Sequence, residues 1–380
     1  MNEFDHEIDR RSVPGDKWGR YANQDILPLW VADMDFAAAP VILQTLRQRL
    51  EHGVLGYANA WPQLDETIQH AIYKDYNWHI EPDWLVWLPG VIPGFNLACQ
   101  IAGEPGDEIL TSIPVYPPFL AAPANTGRIL KTVAMQSDSN GVWQWMRQET
   151  EAAINAHTKM LLLCSPHNPT GRVFSTEELQ WIAGLAEKNN LIICSDEIHC
   201  GIVYPDAPAH KPIASLDATI AARTITLMAP SKTWNIAGLC CAFAIIPDAK
   251  LRQKYRQAML GKVTMPNILG LTATEVAYSQ GEPWRHAVIH YLQQNRDRVY
   301  DLMKTAKDIT VTRPQATYLS WIDCRHLGLD DPAGFFEQHG VGLSDGKPFG
   351  MPGFVRLNFG CTRKLLETAL ERLSNSLKSR

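Results

Sequence analysis

Lys232, Asp196 and Asn168 supply an amine, a carboxylate and an amide, and each follows closely on a short apolar run. Thr224-Ile225-Thr226-Leu227-Met228 leads into Ala229-Pro230-Ser231-Lys232-Thr233. Leu191-Ile192-Ile193-Cys194 leads into Ser195-Asp196-Glu197-Ile198-His199, and Lys159 to Cys164 leads into Ser165-Pro166-His167-Asn168-Pro169-Thr170-Gly171. Apolar runs of this length, bounded by turn residues, read as buried strands. Open α/β sheets bind ligands beyond the carboxyl ends of their strands, so three parallel strands here would gather the three groups along one edge. A lysine held in a partly apolar pocket can lose its proton near neutral pH and attack an aldehyde to form a Schiff base. Taken by itself, Lys232 also reads as a surface lysine on a turn.

An amide and a carboxylate could hold a heteroaromatic ring whose aldehyde the amine captures, and that set describes a pyridoxal 5'-phosphate site. Asp196 would sit opposite the pyridine nitrogen, where a carboxylate favours the protonated ring and makes it electron-poor. Asn168 would donate to the ring's phenolic oxygen, and Ser231 would bond the phosphate. Gly90-Val91-Ile92, in the loop from Leu88 to Phe95, precedes a helical run from Asn96 to Ile101. Glycine permits close backbone approach and a helix N-terminus attracts anions, so the phosphate is expected there. Arg356 is the candidate for a substrate α-carboxylate, which a guanidinium grips with two parallel bonds. A structural salt bridge is its alternative. His199 either contacts the ring oxygen or is a core histidine.

The rest of the chain must position these groups. At 380 residues it is long enough for two domains. A net charge of −5 and a pI near 6.2 give no reason to expect nucleic-acid or membrane binding. The eight cysteines are scattered without a C-x-x-C or a zinc spacing, which reads as reduced thiols in the cytoplasm. No signal peptide, spanning segment or metal site is expected. Residues 1–26 are polar and irregular, with Arg10-Arg11 and Trp18 notable. Trp30 to Phe36 follows as an apolar stretch containing two aspartates. Helices are expected over Pro40 to His52, Leu64 to Tyr76, Glu177 to Lys188, and Glu275 to Lys304 with a break near Gly281. Strands Thr317 to Asp323 and Gly353 to Phe359, with helices Pro332 to His339 and Arg363 to Leu377, predict an α+β end. Ser175-Thr176-Glu177-Glu178 opens as a capping box on the crossover between the Asn168 and Asp196 strands, which supports a parallel pair.

These segments, with Leu27-Pro28-Leu29-Trp30-Val31-Ala32-Asp33-Met34-Asp35-Phe36, Pro114-Val115-Tyr116-Pro117-Pro118-Phe119 and Val355-Arg356-Leu357-Asn358-Phe359-Gly360, run almost the length of the chain. In order, they resemble the fold-type I enzymes that use pyridoxal phosphate, and among them the MalY/PatB branch of cystathionine β-lyases, or C–S lyases. The resemblance implies an α/β fold: a large domain with a mostly parallel mixed sheet flanked by helices, plus a smaller α+β domain. The arm and part of the small domain would occupy 1–45, the large cofactor domain 46–280 and the C-terminal small domain 281–380. It implies that Tyr116 stacks on the ring and, with Trp30 and Arg356, borders the substrate. Tyr57 would reach across a homodimer to the partner's cofactor phosphate. Activity would be elimination from L-cystathionine and related cysteine S-conjugates, with Lys232 as the base.

Amino transfer uses the same residues and is the alternative activity; a partner-binding regulator on the same fold is the alternative of another class. No G-x-G-x-x-G follows an early strand, which disfavours a nicotinamide enzyme. Two positions depart from the branch: Gly201, where many relatives are acidic, and Thr362, where many have proline. Both lie near functional segments, where a change could alter substrate preference, and neither implies lost activity.

Overall fold

The apolar runs are strands of one seven-stranded sheet in the computed structural model, which describes residues 3–138 and 141–379. Met1, Asn2 and Arg380, at the ends of the expected arm and small domain, lie outside the described residues. In chain order the strands are β1 (Leu85–Leu88), β2 (Glu108–Ile113), β3 (Ile129–Ala134), β4 (Thr158–Cys164), β5 (Ile192–Asp196), β6 (Thr224–Met228) and β7 (Ala242–Ile245). Across the sheet they run β1-β7-β6-β5-β4-β2-β3. Only β7 is antiparallel to its neighbours in this sheet; the other pairs are parallel.

β1, β6 and β7 are buried at every position, which is why such strands read as continuous apolar runs rather than alternating ones. Alternation survives in where their side chains go. Leu161 and Leu163 of β4 pack with Leu179, Ile182 and Ala183 of the helix Thr176–Lys188. Met160 and Leu162 turn to the other face, toward Phe95 and Ala98 of the helix Val91–Ile101. The capping box forms as expected: Glu178 N donates to Ser175 Oγ at 3.1 Å, and Ser175 N donates to the Glu178 carboxylate at 2.7 Å. This crossover sets β4 and β5 parallel, with Cys164 opposite Asp196 and Asp196 opposite Leu227 of β6. The carboxyl ends of the three strands are therefore level.

A second, antiparallel sheet joins Thr310–Val311, Leu319–Asp323, Phe354–Asn358 and Ser344–Asp345 in that spatial order. It packs on the helices Glu282–Met303 and Arg363–Lys378 through Val288, Leu292, Leu357 and Leu366. Leu27–Pro28 pairs in parallel with Val341–Gly342, so the N-terminal region is built into this unit. Among the described residues no helix is long and apolar enough to cross a membrane.

One local feature differs from the sequence reading, and the two positions that depart from the branch find their neighbours. The helix expected from Asn96 begins at Val91, with Gly90 as its N-cap residue, because Pro93 is acceptable within a first turn. Thr362 caps the last helix, with Leu365 N donating to its hydroxyl at 3.3 Å. Gly201 leaves room for Thr233, the residue after Lys232; a Cβ on Gly201 would lie 2.3 Å from Thr233 Oγ1 and 2.8 Å from its Cγ2. Glycine at 201 and threonine at 233 are thus a packed pair in which one fills the space the other vacates.

Gly201→Ala is expected to destabilise the chain by about 1–3 kcal/mol through overpacking. Adding Thr233→Ala should recover most of that loss. Urea unfolding of the two variants checks this, and additive losses would show that the two positions do not share the space.

Candidate functional site

Past the level ends of β4, β5 and β6 lies a cavity of about 460 Å³. Lys232 enters it from the turn after β6, which is closed by Trp234 N donating to Pro230 O at 3.0 Å and Ile236 N donating to Ser231 O at 3.0 Å. Its Nζ donates to the carbonyl of Ala32 at 2.7 Å. Burial lowers the amine's pKa to about 8, with Asp33 and Asp196 opposing that fall and Arg356 adding to it. A lysine in this state releases and regains its proton close to neutral pH.

Asp196 is the last residue of β5 and is buried at the cavity wall. One carboxylate oxygen accepts from Ile198 N at 3.1 Å. Burial raises its pKa to about 7; the Ile198 amide and Lys232 hold it down while Glu197 pushes it up. A carboxylate this poorly solvated strongly favours a cationic N–H partner. Asn168, on the turn after β4, accepts from Arg356 Nη1 at 3.0 Å through Oδ1, which leaves its Nδ2 hydrogens as donors for whatever the cavity holds.

Arg356 comes from the small sheet and is itself buried, its pKa lowered to about 10 by burial. Nη2 donates to Trp30 O at 2.7 Å and to Ser344 Oγ at 3.3 Å, while the buried Nε has no partner. Those bonds fix the guanidinium plane and still leave donors for a carboxylate. His199 is buried with Nδ1 unpartnered; burial, Lys232 and Arg356 lower its pKa to about 3, so it is neutral.

Gly90, Val91 and Ile92 border the cavity where the helix Val91–Ile101 begins, and first-turn N–H groups have no partner within a helix. Ser231 lies at the same cavity. Tyr116, the N-cap residue of the helix Pro117–Asn125, and Trp30 also line it, and burial raises the Tyr116 pKa. A phosphorylated heteroaromatic aldehyde fits this donor set: an amine, a desolvated acid, an amide, a neutral imidazole with an orphaned nitrogen and a helix N-terminus. Tyr57 is the exception. It is fully exposed on the connection between the helices Pro40–Glu51 and Pro62–Tyr76, outside its own chain's cavity.

How Trp30 to Phe36 is held is not visible in its own residue types. This stretch belongs to no strand, yet side chains satisfy its carbonyls one after another. Trp30 O accepts from Arg356 and from Ser344 Oγ at 2.9 Å. Val31 O accepts from Asn358 Nδ2, and Ala32 O accepts from Lys232 and from Tyr318 OH at 3.0 Å. Asp33 O takes Asn358 Nδ2 at 2.7 Å and Lys17 Nζ at 3.1 Å. Asn235, at φ 56°, donates to Met34 O at 2.9 Å and Phe36 O at 2.7 Å and accepts from Met34 N at 2.9 Å. Tyr318, Asn358, Asn235 and Ser344 were not singled out from sequence. The available signal was the alternation of Arg356 and Asn358, which places both on one face of a strand.

A family model for aminotransferase class I and II matches residues 24–373. Cystathionine beta-lyase PatB of Bacillus subtilis is 33% identical over 99% of this chain and 99% of its own length. The crystal structure of OvoB is 41% identical with a TM-score of 0.97, covering 99% of each chain. Cystalysin from Treponema denticola, whose structure contains pyridoxal 5'-phosphate, is 30% identical with a TM-score of 0.95 over 100% of this chain and 99% of its own.

Because burial raises the Asp196 pKa above its value of 3.8 in a free chain, its ionised form costs stability increasingly as pH climbs from about 4 to about 7. Asp196→Asn cannot ionise. In the cofactor-free protein it should therefore be more stable than wild type at pH 8, by roughly 2–4 kcal/mol, and nearly equal at pH 4. Urea unfolding at both pH values tests this, and a gain that does not depend on pH would contradict it.

Proposed function

The chain belongs to the aminotransferase class I and II family, and on that footing we propose that it is a pyridoxal phosphate-dependent C–S β-lyase. It converts L-cystathionine and related cysteine S-conjugates, with one water, to a thiol, pyruvate and ammonia, the thiol from cystathionine being homocysteine. The observation that carries the reading is geometric: the half-buried Lys232 amine shares one cavity with the buried Asp196 carboxylate and with Arg356, whose Nε has no partner.

When bound, pyridoxal 5'-phosphate supplies an aldehyde that captures amino groups and a ring that accepts electrons from the substrate's Cα. Lys232 is the residue that holds the aldehyde. With its own amine free, Lys232 would take the proton from the substrate's Cα as a general base. Asp196 would keep a proton on the ring nitrogen, Asn168 would donate to the ring oxygen through Nδ2, and His199 would stand beside that oxygen. Ser231 and the first-turn amides of Val91 and Ile92, approached over Gly90, hold the phosphate. Tyr116 would stack on the ring. Arg356 binds the substrate carboxylate through donors not used by Asn168, Trp30 and Ser344, with Trp30 and Tyr116 closing that side. Sulfur leaves from Cβ as thiolate.

A homodimer completes the reading. Tyr57 lies away from its own cavity beside exposed Val54 and Leu55, a surface suited to a second copy whose phosphate site Tyr57 would enter. The cytoplasm is the proposed setting, supported by six buried free cysteines, of which Cys164 and Cys194 lie within buried strands.

The purified protein should be yellow, absorbing at about 420 nm, and should release pyruvate from cystathionine without added keto acid. Lys232→Ala should lose both properties. Arg356→Lys should raise KM for cystathionine by about 10–100-fold, since one bidentate grip is lost. Turnover that requires an α-keto acid and yields no pyruvate would replace elimination with amino transfer.

A further inference from the structure

Four charged groups lie behind Ala32. Arg10 bridges Asp33 at 2.9 Å and Asp35 at 2.6 Å. Lys17 bridges Asp35 at 2.8 Å and Asp33 at 3.4 Å, and also donates to Asp33 O at 3.1 Å. Trp18 Nε1 adds a bond to Asp35 Oδ1 at 2.8 Å. Two cations face two anions, and the Lys17 side chain is wholly buried. Burying a lysine is costly, and apolar residues of similar volume often hold a segment in place as well as a buried ion pair does. Fastening the N-terminal segment is therefore a weak reason for so many charges.

Their position supplies a better one. Asp33 is bonded to Ala32, whose carbonyl receives both the Lys232 amine and the Tyr318 hydroxyl. The groups that face Lys232 come from four places: Asp33 from this segment, Asp196 and His199 from the end of β5, Arg356 and Tyr318 from the small sheet, and Tyr116 from the large domain. Of the two carboxylates among them, only Asp33 is paired with cations of its own. Burial pushes the Asp33 carboxyl up, and Lys17 and Arg10 more than reverse that, keeping it ionised. Its field at Lys232 is thus present but offset.

We infer that Arg10, Lys17, Asp33 and Asp35 act together as a positioning device for Lys232. They pin the Ala32 carbonyl that receives its amine, and their balanced charges hold the local field where the amine alternates between its protonated and neutral forms. The inference rests on the reading of Lys232 as the reactive amine. Removing an anion from the cluster makes the protonated amine less stable, and removing a cation makes it more stable.

The test is an NMR titration of the cofactor-free, full-length protein carrying 13C-labelled lysine, with the Lys232 signal assigned by its loss in Lys232→Arg. Asp33→Asn should lower the titration midpoint by about one pH unit, and Lys17→Met should raise it by about as much. Lys17→Met combined with Asp35→Asn, which restores neutrality, should return it close to wild type. An unchanged midpoint in Asp33→Asn overturns the inference, as does a double variant shifted as far as Lys17→Met alone. Should Lys17→Met not fold, Asp33→Asn decides the matter. Lys232→Arg also separates the two readings: if it still turns yellow with pyridoxal 5'-phosphate, Lys232 is not the reactive amine, whatever the titrations show.

Discussion

The molecule depends on an irregular segment whose backbone would be intolerable without its neighbours. Buried carbonyl groups without donors cost free energy comparable to a lost hydrogen bond each. From Trp30 to Asp33 no strand ladder supplies those donors. Arg356, Asn358, Lys232 and Tyr318 do, and Lys17 and Asn235 extend the pattern through Asp33 and Phe36. These side chains come from the arm, the turn after β6 and the small sheet. One stretch of backbone therefore registers three otherwise separate parts of the chain against each other, and the cavity lies where they meet. The groups that orient this segment include the ones expected to touch cofactor and substrate, so site geometry and fold geometry are set by the same bonds.

A second consequence concerns charge. Lys232, Asp196, His199 and Arg356 are all desolvated, and burial moves each toward its neutral form. For Lys232 and Asp196 this brings an amine down and an acid up until both titrate near neutrality. His199 is carried far enough to be neutral throughout the physiological range, so it contributes a dipole and no charge. Pairs of groups pushed toward each other by burial are a common way for a site to hold an acid and a base at one pH.

What could be read from the sequence divides along physical lines. The parallel strands carrying Asn168 and Asp196 were legible because a strand buried on both faces is an uninterrupted apolar run, and because a capping box marks the helix that joins them. Arg356 was legible through the 355–360 motif of the resemblance, since in isolation it reads as a structural salt bridge. The roles of Tyr318, Asn235 and Asn358 were not legible, since a residue that bonds a distant carbonyl leaves no periodic trace in its own segment. Asn235 is instructive: its left-handed backbone is a property of the turn, whereas its three bonds belong to residues two hundred positions away. Gly201 and Thr362 looked like departures with a bearing on substrate. In the fold one accommodates the Thr233 side chain and the other caps a helix, duties that only the three-dimensional neighbours reveal.

The free chain holds these groups at a cost that a ligand can remove. An acid raised to about 7, an imidazole nitrogen without a partner and an arginine Nε without a partner are each less stable than the same group in water. A ring bearing a protonated nitrogen, a phenolic oxygen and a phosphate would satisfy several of them at once. A substrate carboxylate would satisfy the arginine. Desolvation that weakens the empty site thereby becomes part of what makes it selective, because a ligand lacking one of those groups leaves a buried charge or donor unpaired. The same logic extends to the cluster around Asp33, where four charges already satisfy one another: being balanced, it can sit beside the Lys232 amine without fixing that amine in one protonation state.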